Sequence, residues 1–280
     1  MGQMSMTLEA RRERLRRALN ELPGLVVAYS GGVDSTFLAH AAHEVLGDRL
    51  LAVTAVSPSL AASERRAAAA LAQARGWRHM AVETHEIDRP DYRRNFSDRC
   101  YWCKTELFEV VAPIAVGLGH PIAVGTNLDD LGDHRPGQQA AREKGALMPL
   151  VDAGLTKSDV RRLSAEEGLP TATKPAAPCL ASRIAYGVEV TPERLARVDA
   201  AEDYLRSLGF AELRVRDHGD VARVEVPAAD IPSAAARAEE IAERLAELGF
   251  AYTTLDLKGL RSGSLNEILP ESALRIGLPR

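Results

Sequence analysis

A short apolar run, Leu25-Val26-Val27-Ala28-Tyr29, is stopped by Ser30-Gly31-Gly32, and a helical pattern begins at once with Val33. A buried strand that turns through glycines straight into a helix constrains the fold strongly, because a parallel strand reaches its neighbour only by such a crossover. The alternation continues with a helix over 33–46, a strand over 50–56, an alanine-rich helix over 63–75 and a strand over 79–83. A helix starting near Cys103 and running to about residue 116 follows, then a strand over 121–126. This order predicts an α/β fold, a parallel twisted sheet with helices on both faces. An amphipathic helix over 8–22 precedes it, with Leu8, Leu15, Ala18, Leu19 and Leu22 on one face and its arginines read as solvated. Leu155-Thr156-Lys157-Ser158-Asp159 opens a further helix that Gly168 and Pro170 end.

The character then changes. Residues 191–208 read as helix, 211–217 and 221–226 as strands, 230–248 as helix and 251–257 as strand. That is a small C-terminal α+β domain, so the chain divides into 1–186 and 187–280. Residues 260–280, with Ser262-Gly263-Ser264 and two prolines, read as a flexible tail.

The 35 basic and 39 acidic residues leave a formal charge of −4, which weighs against a nucleic-acid partner. The longest stretch without Lys, Arg, Asp or Glu, 110–128, is broken by three glycines and two prolines, so no membrane partner is expected. The N-terminus is charged too early for a signal sequence. Three cysteines make no disulfide framework, which points to a reduced, cytoplasmic protein and frees Cys100, Cys103 and Cys179 for chemistry or metal.

Ser30-Gly31-Gly32-Val33-Asp34-Ser35 lies where anions bind. Helix N-terminal amides point outward, the helix dipole adds positive charge, and glycines admit an oxyanion close to the backbone. Neither a Walker loop nor a dinucleotide fingerprint is present. The hexad resembles the pyrophosphate loop of the ATP pyrophosphatases, which implies ATP and Mg²⁺, with Ser30, Gly31, Gly32, Asp34 and Ser35 around the phosphates. Three further stretches narrow the resemblance: Arg99-Cys100-Tyr101-Trp102-Cys103-Lys104, Gly125-Thr126-Asn127-Leu128-Asp129-Asp130 with Asp133-His134-Arg135-Pro136-Gly137, and Pro178-Cys179-Leu180-Ala181-Ser182-Arg183. Together they are similar to the LarE family of sulfur transferases, which convert the carboxylates of a pyridinium biscarboxylic acid mononucleotide into thiocarboxylates during nickel-pincer nucleotide biosynthesis.

The chemistry agrees, since a carboxylate resists attack until adenylation gives it a leaving group for a sulfur nucleophile. The resemblance places that nucleophile at Cys179, and Lys104 and Arg183 at the ATP phosphates or the departing AMP. Family members split in two. In one form the matching cysteine gives up its own sulfur and becomes dehydroalanine. In the other, three cysteines hold a 4Fe-4S cluster, and Cys100, Cys103 and Cys179 match that pattern. A zinc site completed by His85, His120 or His134 and a redox pair are rivals for Cys100 and Cys103. Arg214 and Arg216 alternate on one face of a strand and map onto the family's phosphate-binding arginines, with Glu202 and Glu225 nearby. Asp129 and Asp130 read equally as Mg²⁺ ligands or as a solvated loop, and His40 and His43 as ordinary helix residues. The resemblance also implies a homo-oligomer, a hexamer. A tRNA thiolation enzyme, an ammonia-using synthetase and a non-enzymatic nucleotide-binding module are the competing readings.

Overall fold

The computed structural model describes residues 6–132, 136–261, 263–265 and 267. Its strands are β1 (Leu25–Ala28), β2 (Leu50–Val56), β3 (His79–Glu83), β4 (Ile122–Val124), β5 (Arg214–Asp217), β6 (Val221–Glu225) and β7 (Tyr252–Leu255). The helices are α1 (Leu8–Asn20), α2 (Val33–Leu46), α3 (Ala62–Ala74), α4 (Pro90–Arg93), α5 (Arg99–Leu118) and α6 (Pro136–Glu143). They continue with α7 (Pro149–Asp152), α8 (Lys157–Glu166), α9 (Pro192–Ser207), α10 (Ile231–Ala236) and α11 (Ala238–Glu247). Among the described residues no helix is long and apolar enough to cross a membrane.

The chain forms two compact units. Of the described residues, the first gathers 6–57, 62–86, 100–132 and 136–177 around a parallel sheet in the order β3-β2-β1-β4. Side chains alternate along each strand, so the faces take different partners. Leu25, Val27 and Tyr29 pack with Leu50, Ala52 and buried residues of α1, α2, α3 and α8. Val26, Leu51 and Val53 face Leu107, Val111 and Ala115 of α5. Each such side chain, fully buried, is worth about 1.5–3 kcal/mol of transfer free energy. The expected doubly covered α/β sheet is present. α1 differs from expectation at one point, since Arg11 and Arg12 are not merely solvated: they form ion pairs with Asp159 and Glu167 at the two ends of α8.

The strand order reverses between β1 and β4, and the crevice beyond their carboxyl ends is where such sheets take ligands. Gly125 follows β4 there, and a Cβ on it would stand 2.7 Å from Ser35 N and 2.8 Å from the Asp34 carbonyl carbon. No side chain fits between these two backbones.

Of the described residues, the second unit joins 58–61, 87–99 and those from 178 to 267, with the sheet β5-β6-β7. β5 and β6 are antiparallel, β6 and β7 parallel. The grouping differs from a single cut after residue 186, for a local reason. Leu180 N–H donates to Ser59 O at 2.8 Å, Asn95 Nδ2 donates to Ala185 O at 2.8 Å, and Ile184 bridges to Asp217 beside β5. The segment expected as one helix over 230–248 breaks at Arg237, whose guanidinium turns to Leu208 O at 2.8 Å. α5 starts four residues before the expected Cys103 and so carries both Cys100 and Cys103.

Gly125→Ala should lower the unfolding midpoint in urea by the equivalent of about 1–3 kcal/mol, because backbone must move to admit the methyl group. Gly117→Ala is the control: with nothing within 4 Å of its Cβ, it should leave stability unchanged or raise it by about 0.5–1 kcal/mol. Equal midpoints for the two variants would refute the close-approach argument.

Candidate functional site

Two constellations stand out, one in each unit. In the first, Gly31 takes φ +70°, the left-handed region that glycine reaches without strain, and its α-carbon faces Ala68 of α3 so closely that a Cβ would come within 3.0 Å. Gly32 is the N-cap of α2 and offers no side chain, which leaves the first turn of the helix to the loop. Ser35 Oγ lies 3.2 Å from Gly32 O, accepts the Ser30 N–H at 3.2 Å and meets Ser30 Oγ at 3.1 Å. Ser30 is exposed and Ser35 buried, so the loop is pre-shaped by its own hydroxyls.

Asp34 is held from two sides. Its Oδ2 pairs with Lys157 Nζ, and its Oδ1 accepts Asn127 Nδ2 at 3.2 Å. Asn127, fully buried, comes from the GTNLDD stretch after β4. Asp129 Oδ2 accepts the Lys157 N–H at 2.8 Å, and Asp130 Oδ2 accepts the Asn127 N–H at 3.1 Å. Both carboxylates thus serve backbone amides, Asp129 at the first residue of α8. Lys174 completes the surround: its ammonium donates to Gly31 O at 3.1 Å and to Glu64 at 2.6 Å. Lys157 and Lys174 were missed in the sequence. Lys157 read only as part of a helix start, and Lys174 sits in an irregular stretch with no motif to flag it.

Cys100 and Cys103 lie one helical turn apart at the start of α5, the first exposed and the second half-buried. A Cβ on Gly137 at the start of α6 would meet Lys104 Cγ at 2.9 Å, so this lysine stem packs against α6. Asp133, His134 and Arg135 fall outside the described residues.

In the second unit, Cys179 is the exposed N-cap of a short 3-10 turn, Leu180–Arg183. Three guanidiniums hold that turn by its carbonyls. Arg183 Nη1 bonds Pro178 O and, at 3.3 Å, Cys179 O. Arg99 Nη1 takes Ala181 O at 2.8 Å, and Arg216 Nη1 takes Ser182 O at 3.0 Å. Beside the turn is a cavity of about 170 Å³ lined by Arg99, Ser182, Tyr186, Arg214, Arg216 and Leu265, among others.

Glu202 and Glu225 are buried and bonded to arginines of this unit. Glu202 accepts Arg183 Nε at 2.9 Å, Arg206 Nη2 at 2.9 Å and the Val215 N–H at 3.2 Å. Glu225 accepts Arg216 Nε at 3.0 Å, Arg223 Nη2 at 3.0 Å and Ser264 Oγ at 2.6 Å. Ser264 also accepts Arg216 Nη2 at 3.0 Å and is buried, which corrects its reading as part of a flexible tail; residues 268–280 lie outside the described set. Burial pushes Arg214 and Arg216 below the usual guanidinium pKa, and the neighbouring Arg183 pushes both the same way. Positive charge is therefore crowded here, the condition that an anionic ligand relieves.

Glu225→Ala leaves Arg216 and Arg223 without their shared counter-charge and should cost about 3–5 kcal/mol in urea denaturation. A loss under about 1 kcal/mol would show that the pair is not a buried structural one.

No family model matches the chain. An uncharacterised protein of Synechocystis sp. is 46% identical over 265 residues, covering 94% of this chain and 99% of its own. The pyridinium-3,5-bisthiocarboxylic acid mononucleotide synthase of Lactiplantibacillus plantarum is 37% identical over 270 residues, covering 96% and 98%. An uncharacterised protein of Methanocaldococcus jannaschii is 28% identical over 239 residues, covering 85% and 91%. With more than a third of positions shared end to end with the synthase, the chain belongs to the LarE family of pyridinium-3,5-bisthiocarboxylic acid mononucleotide synthases.

Proposed function

We propose that this protein is an ATP-dependent sulfur transferase that adenylates a carboxylate of pyridinium-3,5-biscarboxylic acid mononucleotide and then replaces carboxylate oxygen by sulfur. The observation that carries the reading is the exposed Cys179 on a turn fastened by Arg99, Arg183 and Arg216, beside the Arg214–Arg216 cavity.

A substrate carboxylate oxygen attacks the α-phosphorus of ATP, and pyrophosphate leaves. The amides at the start of α2, with the Ser30 and Ser35 hydroxyls, hold the pyrophosphate, as helix N-termini hold anions generally. Mg²⁺ fits Asp34, whose carboxylate already carries a cation, the Lys157 ammonium; when bound, the ion neutralises phosphate charge. Lys157 and Lys174, already against the loop, and Lys104 supply further positive charge to the triphosphate. In this reading Arg183 positions the Cys179 turn rather than touching nucleotide, because its donors are engaged by Glu202 and the turn. Arg214 and Arg216 take the substrate phosphate; Glu225 orients the Arg216 guanidinium, and Glu202 holds the strand between them by the Val215 N–H.

The Cys179 thiolate attacks the acyl adenylate, and AMP leaves with the bonding pair. Loss of the Cys179 α-proton with cleavage of Cβ–S then releases the thiocarboxylate and leaves dehydroalanine. The second source of sulfur rests on Cys100 and Cys103, whose one-turn spacing suits two thiolate bonds to iron. Together with the Cys179 thiolate they would be the ligands of a 4Fe-4S cluster, which when bound would supply an exchangeable sulfide. The protein acts as a homo-oligomer in a reduced cytoplasm.

The deciding measurement is the intact mass of anaerobically purified protein before and after turnover with ATP, Mg²⁺ and the dicarboxylate nucleotide. Loss of the mass of H₂S at Cys179 establishes the sacrificial route. Thiocarboxylate with an unchanged polypeptide and bound iron establishes the cluster route. Cys179→Ala should abolish sulfur transfer in either case while pyrophosphate release persists, and retained transfer would refute both. Arg214→Ala should raise the substrate KM about tenfold or more, the loss of one charge-assisted contact, with a smaller effect on kcat.

A further inference from the structure

α2 carries a second cluster two turns beyond the loop. His40 and Glu44, four residues apart on one face of α2, meet Glu167 at the C-cap of α8. One nitrogen or oxygen from each of the three lies within 4.8 Å of the others. His40 is 8% exposed, and its Nε2 lies 3.4 Å from Glu167 Oε2. That separation is long for a hydrogen bond, yet it matches the edge of a tetrahedron with bonds of about 2.0–2.1 Å, as at zinc. Glu167 divides its oxygens, since Oε1 pairs with Arg12 of α1 while Oε2 faces His40. An outer partner that fixes a carboxylate and leaves its second oxygen inward is the usual support of a metal ligand. The three residues border a cleft of about 20 Å³ walled by Leu15, Phe37 and Ala41, enough for one ion or water.

We propose that His40, Glu44 and Glu167 bind a divalent transition-metal ion, zinc by preference, with a fourth position open to solvent. One imidazole with two carboxylates suits zinc, and two carboxylates balance its charge. Arg12 beside the site and Arg16 at its rim oppose a cation, so the affinity is modest. The ion would tie the second half of α2 to α8, and through Glu167 to Arg12 of α1. This inference is independent of what the loop at the other end of α2 binds.

The test uses the full-length protein, stripped with a chelator and titrated with Zn²⁺ by calorimetry and with Co²⁺ by visible absorption. One site per chain with micromolar affinity is expected, with a Co²⁺ spectrum of nitrogen and oxygen ligands. Zn²⁺ at saturating concentration should also raise the thermal midpoint. His40→Gln and Glu44→Gln should each weaken Zn²⁺ about tenfold or more and abolish that thermal shift. Glu44 is exposed, so its variant keeps the test valid if His40→Gln does not fold. The proposal fails if no Zn²⁺ binds at 100-fold above the expected constant. It fails equally if both variants bind as tightly as wild type, or if Co²⁺ shows only a thiolate charge-transfer band, which would assign the ion to cysteine.

Discussion

The first unit depends on one close approach, the backbone of Gly125 against that of Asp34 and Ser35. It occurs where the strand order reverses, between β1 and β4, and it lets the loop after β1 and the segment after β4 share one crevice. From it follow the Asn127 bond to Asp34, the Asp129 bond to the start of α8, and the position of Lys157 on Asp34. A single side chain at residue 125 would separate these groups, so glycine there is a matter of geometry rather than of flexibility.

The second unit is organised by charge. Two buried carboxylates, Glu202 and Glu225, each hold two guanidiniums, and one of each pair, Arg183 and Arg216, in turn holds carbonyls of the Cys179 turn. Ion pairs this deep add little net stability but are costly to break, which suits a device that must keep cations in place beside a cavity. The thiol itself is outside the network and exposed. Its geometry is fixed while its sulfur stays accessible.

Much of this was legible in the sequence, for identifiable reasons. β2 and β3 carry apolar or alternating patterns bounded by turns, and their limits match expectation. α8 announces itself through the Thr156–Asp159 capping box. The motifs placed Ser30 to Ser35 at a helix start and Arg214 and Arg216 on one strand. What stayed hidden depends on long-range contact. Nothing local shows that Ser264 folds back onto Arg216, that Lys174 reaches Gly31, or that Glu167 closes on His40 across 127 positions. The helix pattern over 230–248 gave no sign of the break at Arg237, whose guanidinium bonds a carbonyl outside that segment, at Leu208. Nor does spacing show that Glu202 and Glu225 each accept two guanidiniums in the interior of their unit.

The arginine-built cavity has a consequence for how it answers to acidity. Guanidiniums do not release their protons in proteins, and the carboxylates among them are locked in pairs. His218, the titratable ring in the same field, has its pKa lowered by burial and by Arg223, so it stays neutral. The guanidiniums in the walls therefore keep their charge across the physiological range. A guest's phosphate or carboxylates meet cations that stay fixed in number while their own protons come and go.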